Sequence, residues 1–276
     1  MGDGLINDLI VQSSEGAKGG LDLSSNGISL IIPAYNEEDR IAKSLDSYIP
    51  VLKSLGVPFE VLVIIDGSDG TYDTIQAYSG LGVTGHRFNS KLGKGGAIRK
   101  GISLAIYDVI CWVDADGSLF PDDLKKILEA TEHYDCVVAS RWLRDSVWVT
   151  KEPLFNRTVG RMFNVLVRGL LGLPVMDTQC GAKAFRSSVA RSVMATTVVN
   201  NRTFDVAMLY HARRSGATMK EIGVRWEHDP RTRMPIFRVI PIMFLTLVGI
   251  RLMNLPIRKY FPEEIVNYFV SRYASD

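Results

Sequence analysis

Cysteine is scarce, with three residues in 276, at positions 111, 136 and 180. They are odd in number, far apart and without metal-ligand spacing, which excludes a disulfide-stapled scaffold and a cysteine-based zinc module. Cys111 and Cys136 fall in apolar runs that read as core, so a reducing compartment is expected. An excess of one charge is also lacking. Lys and Arg total 32 against 30 Asp and Glu, a net of +2, too little to hold nucleic acid by bulk electrostatics. No run reaches the roughly 20 apolar residues needed to cross a bilayer. The first 26 residues show no basic start followed by an apolar core, so no signal peptide is expected. Their Gly/Ser-rich stretch around Ser13 to Gly20 predicts a mobile tail.

What is present is an ordinary globular composition, 46% hydrophobic and 22% charged with 24 glycines, on a chain long enough for a large core. Ile28 to Ile32, Val61 to Ile65, Val109 to Val113 and Cys136 to Ala139 are short β-branched runs of the kind that form buried parallel strands. Helical stretches lie between them, at about Glu37 to Leu55, Thr71 to Tyr78, Gly95 to Ile106 and Pro121 to Glu132. The alternation predicts an α/β fold with a doubly wound, mostly parallel sheet and ligands at the strands' C-terminal ends. The expected divisions are a tail over 1–26, one catalytic domain over 27–235 and a C-terminal helical segment over 236–276.

The second half changes character. Between Arg141 and Arg168 six basic residues face two acids. Pro153 to Leu171 reads as a helix with Val159, Met162, Phe163, Leu166 and Leu170 on one face. Arg157, Arg161 and Arg168 fall within about 40° of one another on the opposite face, at 100° per residue. A stripe of one sign points to an anion more than to a merely solvated face. Val239 to Ile250 is apolar all round and flanked by Arg238, Arg251, Arg258 and Lys259. Twelve helical residues span about 18 Å, short of a hydrocarbon core of about 30 Å. The segment is therefore either buried or interfacial, and the flanking arginines favour a membrane interface.

The apolar run of Val109 to Val113 ends abruptly in Asp114 and Asp116, spaced i and i+2, which places both on one side of an extended chain. Two carboxylates holding a divalent cation leave coordination positions open for a diphosphate. The bland alternative is a polar turn. Three further loops follow strand ends. Pro33-Ala34-Tyr35-Asn36-Glu37-Glu38 offers a ring for stacking. Asp66-Gly67-Ser68-Asp69-Gly70-Thr71 offers carboxylates for the donors of a base edge or ribose. Lys91-Leu92-Gly93-Lys94-Gly95-Gly96 leads into a helix whose N-terminus could meet phosphate. Taken singly, Lys94 reads as solvated, the glycines as turn formers and Asp66 as a helix cap. Taken together, they describe a nucleotide diphosphate site.

These four loops resemble the motifs of family 2 inverting glycosyltransferases with the GT-A fold. Ala139-Ser140-Arg141, Asp177-Thr178-Gln179-Cys180-Gly181, Phe204-Asp205-Val206 and Val224-Arg225-Trp226-Glu227 are similar to the dolichyl-phosphate sugar synthases, especially the glucose-transferring branch. The resemblance implies that Asp66 and the loop of Pro33, Tyr35, Asn36 and Glu37 hold the nucleoside, with Lys94, Gly95 and Ala115 lining the donor. Asp116, with Asp114, would bind Mg²⁺ or Mn²⁺, while Arg141 with Arg157 or Arg161 would clamp the acceptor phosphate. Asp177 and Gln179 would lie near the sugar, and Arg231 or Arg233 would close over the diphosphate. Two departures stand out. Ile65 replaces the first of the family's usual paired aspartates, and the loop after it is short. The large transmembrane domain of some relatives is not found.

The implied reaction moves a hexose, from a UDP-glucose-like donor, to a polyprenyl or dolichyl monophosphate, supplying lipid-linked sugar for protein glycosylation. The protein would act peripherally at the cytoplasmic face of a membrane. GDP-mannose remains an alternative donor. A glycan hydroxyl remains an alternative acceptor, which would require Asp177 or Asp205 as base. A non-catalytic sugar-nucleotide binder on the same fold is a third possibility.

Overall fold

The computed structural model describes residues 27–150, 153–197, 199–229 and 236–254. The N-terminal tail, Arg231, Arg233 and the segment carrying Arg258 and Lys259 lie outside the described residues. Seven strands form the main sheet in the order β3-β2-β1-β4-β7-β5-β8. They are β1 (Ile28–Ala34), β2 (Phe59–Ile65), β3 (Val83–Arg87), β4 (Val109–Trp112), β5 (Cys136–Ser140), β7 (Lys183–Arg186) and β8 (Met219–Gly223). All pair in parallel except β7, which runs antiparallel to both β4 and β5. A two-stranded ribbon joins β6 (Val147–Thr150) to β9 (Arg225–Glu227).

The predicted runs are strands because both faces of the sheet are covered. Leu30 and Ile32, Val61 and Val63, Val109 and Cys111, and Val137 and Ala139 belong to the core on one face. Their neighbours Ile31, Leu62 and Ile64, Ile110 and Trp112, and Cys136 and Val138 point into the core on the other. Period-2 alternation with both sets apolar is the mark of a doubly covered sheet. Helices α1 (Ile41–Ser54) and α4 (Pro121–Glu129) contribute to the first core. Helix α2 (Thr71–Gln76) adds Ile75 to it. The second core is covered by α3 (Gly93–Leu104), α5 (Leu154–Leu171), α6 (Ser187–Thr196), α7 (Phe204–Arg214) and α8 (Ile236–Met253).

Several expectations are revised. Pro33 does not end β1, which continues to Ala34. The register with β4 stops at Ile31, so the proline lies beyond that ladder and breaks none of its bonds. Helix α1 starts at Ile41, not Glu37, because Glu37 to Arg40 form a separate turn closed onto Glu37's carbonyl. The apolar stripe of α5 is split. Phe163, Val167 and Leu171 are buried, with Asn164 beside them, whereas Met162 is 67% and Val165 62% exposed. Helix α8 is both buried and open. Met243, Leu247 and Ile250 enter the core, while Ile242, Phe244 and Leu245 face outward. No helix among the described residues is long and apolar enough to cross a membrane.

Helix α3 lies against the middle of the sheet because Gly101 lets its backbone approach Ile31. A Cβ there would sit 2.4 Å from Ile31 Cγ2. Gly101→Val should therefore overpack this contact and lower stability by about 2 kcal/mol or more, read as a fall in denaturant midpoint at unchanged m-value.

Candidate active site

The parallel strands deliver their loops to one edge, and the first two loops interlock. Asn36, at a φ of 56°, accepts a hydrogen bond at Oδ1 from the Ser68 amide (3.0 Å). The Gly67 backbone passes so close that a Cβ on it would lie 2.5 Å from Asn36 N. The Glu38 amide donates to Asp69 (3.0 Å), the Gly70 amide donates to Glu38 (3.0 Å) and the Glu37 amide donates to Thr71 Oγ1 (2.9 Å). Asp69 and Thr71 thus tie the second loop to the loop that carries Pro33, Tyr35, Asn36 and Glu37. Tyr35 projects 54% exposed, with the Lys91 ammonium 5.6 Å from its ring centroid. Asp66 caps α3, since its Oδ2 accepts the amides of Leu92 (2.7 Å) and Gly93 (3.0 Å).

Gly95 serves packing: its Cβ would lie 2.5 Å from both Asn200 O and Phe204 Cβ. Lys94 turns toward the carboxylates. Its Nζ lies 2.7 Å from Asp114 and 3.6 Å from Asp205. Behind it, Asp205 accepts from the indole N–H of Trp112 (3.0 Å) and pairs with Lys183 (3.1 Å), a fully buried lysine that also donates to Cys180 O (2.7 Å). A chain of alternating charge, Lys183, Asp205, Lys94 and Asp114, thus ends at the predicted metal pair. Gly181 gives Asp114 its room, since a Cβ there would be 2.1 Å from Asp114 Oδ2.

The two carboxylates are driven apart electrostatically. Burial opposes ionisation of Asp114, but Lys94, with Lys183 and Arg202 beyond it, outweighs burial and holds its carboxyl below the ordinary value. Asp116 is pushed up by burial and then by the negative charge of Asp114. Glu37 is also raised, first by burial and with further push from Asp116 and Asp114, against the pull of Arg40. Arg40 clasps Glu37 at 2.6 and 2.7 Å and reaches Asp229 at 3.4 Å. Asp116 is a hard-oxygen donor whose anionic form is favoured by Ser118 and Arg40 less than burial and Asp114 disfavour it, and this fits a divalent cation. No cluster of three potential ligands occurs among the described residues, so a cation held here would keep positions for diphosphate oxygens or water.

Arg141 and Asp177 do not stand apart, as two separate ligand-facing groups would. Arg141 uses Nε (2.7 Å) and Nη2 (3.0 Å) on the fully buried Asp177, and its amide donates to the same carboxylate. Burial disfavours the Asp177 anion, but the guanidinium more than compensates and lowers its carboxyl below the usual range. Arg141 also stacks on Trp148 and Trp226, at 5.7 and 5.4 Å. Arg157 lies over Trp142 and Trp148, and Arg161 over Trp142. Neither Arg157 nor Arg161 makes an ion pair among the described residues.

These groups surround a polar chamber of about 200 Å³ that includes Lys94, Asp114, Arg141, Arg157, Gln179 and Arg202. Gln179 Nε2 is buried there without a partner among the described residues. The chamber shares Trp142, Arg157, Val159, Phe163 and Ile240 with an apolar groove of about 920 Å³ along α5. Sequence reading missed Arg202, whose only signal is its place two residues before the Phe204-Asp205 pair, and Lys183, which sits in a strand too short to recognise.

A family model described as glycosyl transferase family 2 matches residues 29–194. The dolichyl-phosphate beta-glucosyltransferase of Drosophila melanogaster is 33% identical over 233 residues, covering 78% of this chain and 72% of that protein. The Dictyostelium discoideum protein of the same name is 30% identical over 247 residues, covering 81% and 76%. Among solved structures, glucosyl-3-phosphoglycerate synthase from Mycobacterium tuberculosis, in complex with Mn²⁺, UDP-glucose and phosphoglyceric acid, has a TM-score of 0.61. At 18% identity over 86% of this chain and 84% of that one, it shows a shared GT-A fold. The chain belongs to glycosyl transferase family 2, a family of sugar-transferring enzymes, and within it is similar to the dolichyl-phosphate beta-glucosyltransferases.

Proposed function

We propose that this enzyme transfers a hexosyl group, with inversion, from a nucleotide diphosphate sugar to a polyprenyl monophosphate of the dolichyl type. The observation that carries this function is the union of two cavities, a polar chamber bearing Arg157 and Arg202, neither in an ion pair among the described residues, and a large apolar groove sharing its wall. Such a pair fits an amphiphile with an anionic head. A glycan would leave the apolar wall wet.

The state of the acids points the same way. Transfer to a hydroxyl needs a free carboxylate as base. The two candidates are both committed: Asp177 to Arg141, and the nearly fully buried Asp205 to Lys183, Lys94 and Trp112. A phosphate monoester has a second pKa near 6 and is largely the dianion at neutral pH, so it needs no base. The acceptor oxygen attacks the anomeric carbon as the bond to the diphosphate breaks, and no proton changes hands. The chain's own part is to hold two anions together: Arg157 and Arg202 at the acceptor head, Lys94 beside the donor, and Tyr35 as a stacking platform for the base. Asp114 and Asp116 would hold Mg²⁺ or Mn²⁺, which when bound neutralises charge developing on the departing diphosphate.

UDP-glucose is the favoured donor. Support comes from the names of the curated relatives and from the UDP-glucose in the solved neighbour of the same fold. Outward-facing Leu154, Met162, Val165, Ile242 and Phe244, with Arg168 on the same helix as the first three, support peripheral attachment to a membrane, which we place at its cytoplasmic face.

Purified protein given a panel of UDP- and GDP-sugars with a short polyprenyl phosphate should form lipid-linked product, most from UDP-glucose, and chelator should stop it. Product on free sugars but none on lipid would overturn the acceptor. Asp116→Asn should lower turnover by on the order of 10²-fold or more, as loss of an electrostatic stabiliser does. Gly181→Ala, which displaces Asp114 without removing any charge, should cost roughly as much in turnover and, by overpacking the contact beside the Lys94–Asp114 pair, also lower the melting temperature. A fully active Gly181→Ala enzyme would show that Asp114 need not stay where it is.

A further inference from the structure

Of the indoles in this molecule, Trp112 donates its N–H to Asp205 and Trp148 donates its own to Arg141 O at 3.0 Å. Trp142 does not follow. Its Nε1 is buried and finds no partner among the described residues. The indole nitrogen is a donor only, so the missing partner must be an acceptor atom. A buried donor left unsatisfied is uncommon enough in folded proteins to require a reason.

The surroundings define that acceptor. Trp142 lines both cavities, polar chamber and apolar groove alike. Its backbone is pinned, since its amide donates to the Oγ of buried Ser140 at 3.2 Å. The guanidiniums of Arg157 and Arg161 lie 5.6 and 5.7 Å from its ring, and Trp148 packs at 5.5 Å with the planes tilted by 54°. Two cations held to one ring beside an unsatisfied N–H favour an anionic oxygen. On the groove side the wall continues as Leu154, Met162, Val165 and Leu166, which gives nothing to an anion and much to a hydrocarbon.

We propose that Trp142 selects the acceptor, donating its indole N–H to a phosphoryl oxygen of a lipid monophosphate while its ring forms the wall on which the first isoprenoid carbons lie. This specificity role rests on the polyprenyl phosphate acceptor proposed above. It separates the acceptor from inorganic phosphate, which cannot use the wall, and from the free alcohol, which cannot satisfy the N–H and the two guanidiniums together.

Calorimetric titration of the whole protein with farnesyl phosphate, farnesol and inorganic phosphate tests it without turnover. Trp142→Phe keeps a smaller ring beside Arg157 and Arg161 and removes the donor. It should weaken farnesyl phosphate about tenfold and leave farnesol within twofold. Trp142→His, which restores a ring N–H, should recover part of the loss. Equal affinity for farnesyl phosphate in wild type and Trp142→Phe would overturn the assignment, as would an equal loss for farnesol, which would reduce Trp142 to packing. Inorganic phosphate binding as tightly as farnesyl phosphate would overturn the lipid part. Wild-type protein that binds farnesyl phosphate through this N–H but forms no lipid-linked sugar would leave Trp142 assigned and sink the transfer reaction instead.

Discussion

The contact on which the site depends is the salt bridge of Lys94 with Asp114, held from behind by Asp205 and the fully buried Lys183. A lysine with no exposure is costly unless its charge is answered and its donors are used. Here Asp205 answers it and Cys180 O accepts a hydrogen bond from it. The antiparallel strand β7 makes this possible. It enters between β4 and β5 and sets Lys183 in register with Trp112 on one side and Val138 on the other. Trp112 stacks on Phe185 at 5.1 Å and seals this side of the network from water. The charge chain is therefore a property of the sheet's topology and could not be assembled from parallel strands alone.

Its consequence appears at the far end. Because Lys94 stabilises the Asp114 anion, the repulsion between the two acids falls on Asp116, whose ionisation is already disfavoured by burial. The acids share a loop and a motif yet differ in state. Asp114 is locked by protein charge, and Asp116, accepting the Ser118 amide at 3.1 Å, is the one with a deficit that a cation can fill. In the proposed metal site one carboxylate would supply a fixed negative charge and the other the gain on binding.

The sheet's centre was legible because β1, β2, β4 and β5 are buried on both faces and read as unbroken apolar runs. The short strand Lys183–Arg186 was not, since two of its four residues are basic and its charges are satisfied only by distant partners. Strands Val83–Arg87 and Met219–Gly223 lie at the sheet's edges, where partial exposure removes the hydrophobic signal. Asp114 and Asp116 could be picked out because they interrupt an apolar run. Asp66 carried two meanings, base ligand and helix cap, and its capping bonds are a matter of three dimensions. Helical periodicity placed the apolar residues of α5 on one face but could not divide them between core and groove, because both environments accept the same side chains.

The arginines show why residue type alone does not identify a clamp. Arg141 follows a strand end in a motif resembling the family's and lines the chamber, while its Nε and Nη2 engage Asp177 and its faces meet Trp148 and Trp226. Breaking that pair would strand a buried carboxylate, so Arg141 is held in place by Asp177. Its carbonyl in turn fixes the indole of Trp148, on which Arg157 rests. Charge that reaches the chamber without an ion-pair partner among the described residues comes from Arg157 on α5 and Arg202 before α7. An anion bracketed by both would be oriented as well as bound, and in the proposed transfer, which moves no proton, orientation and charge are what the protein would supply.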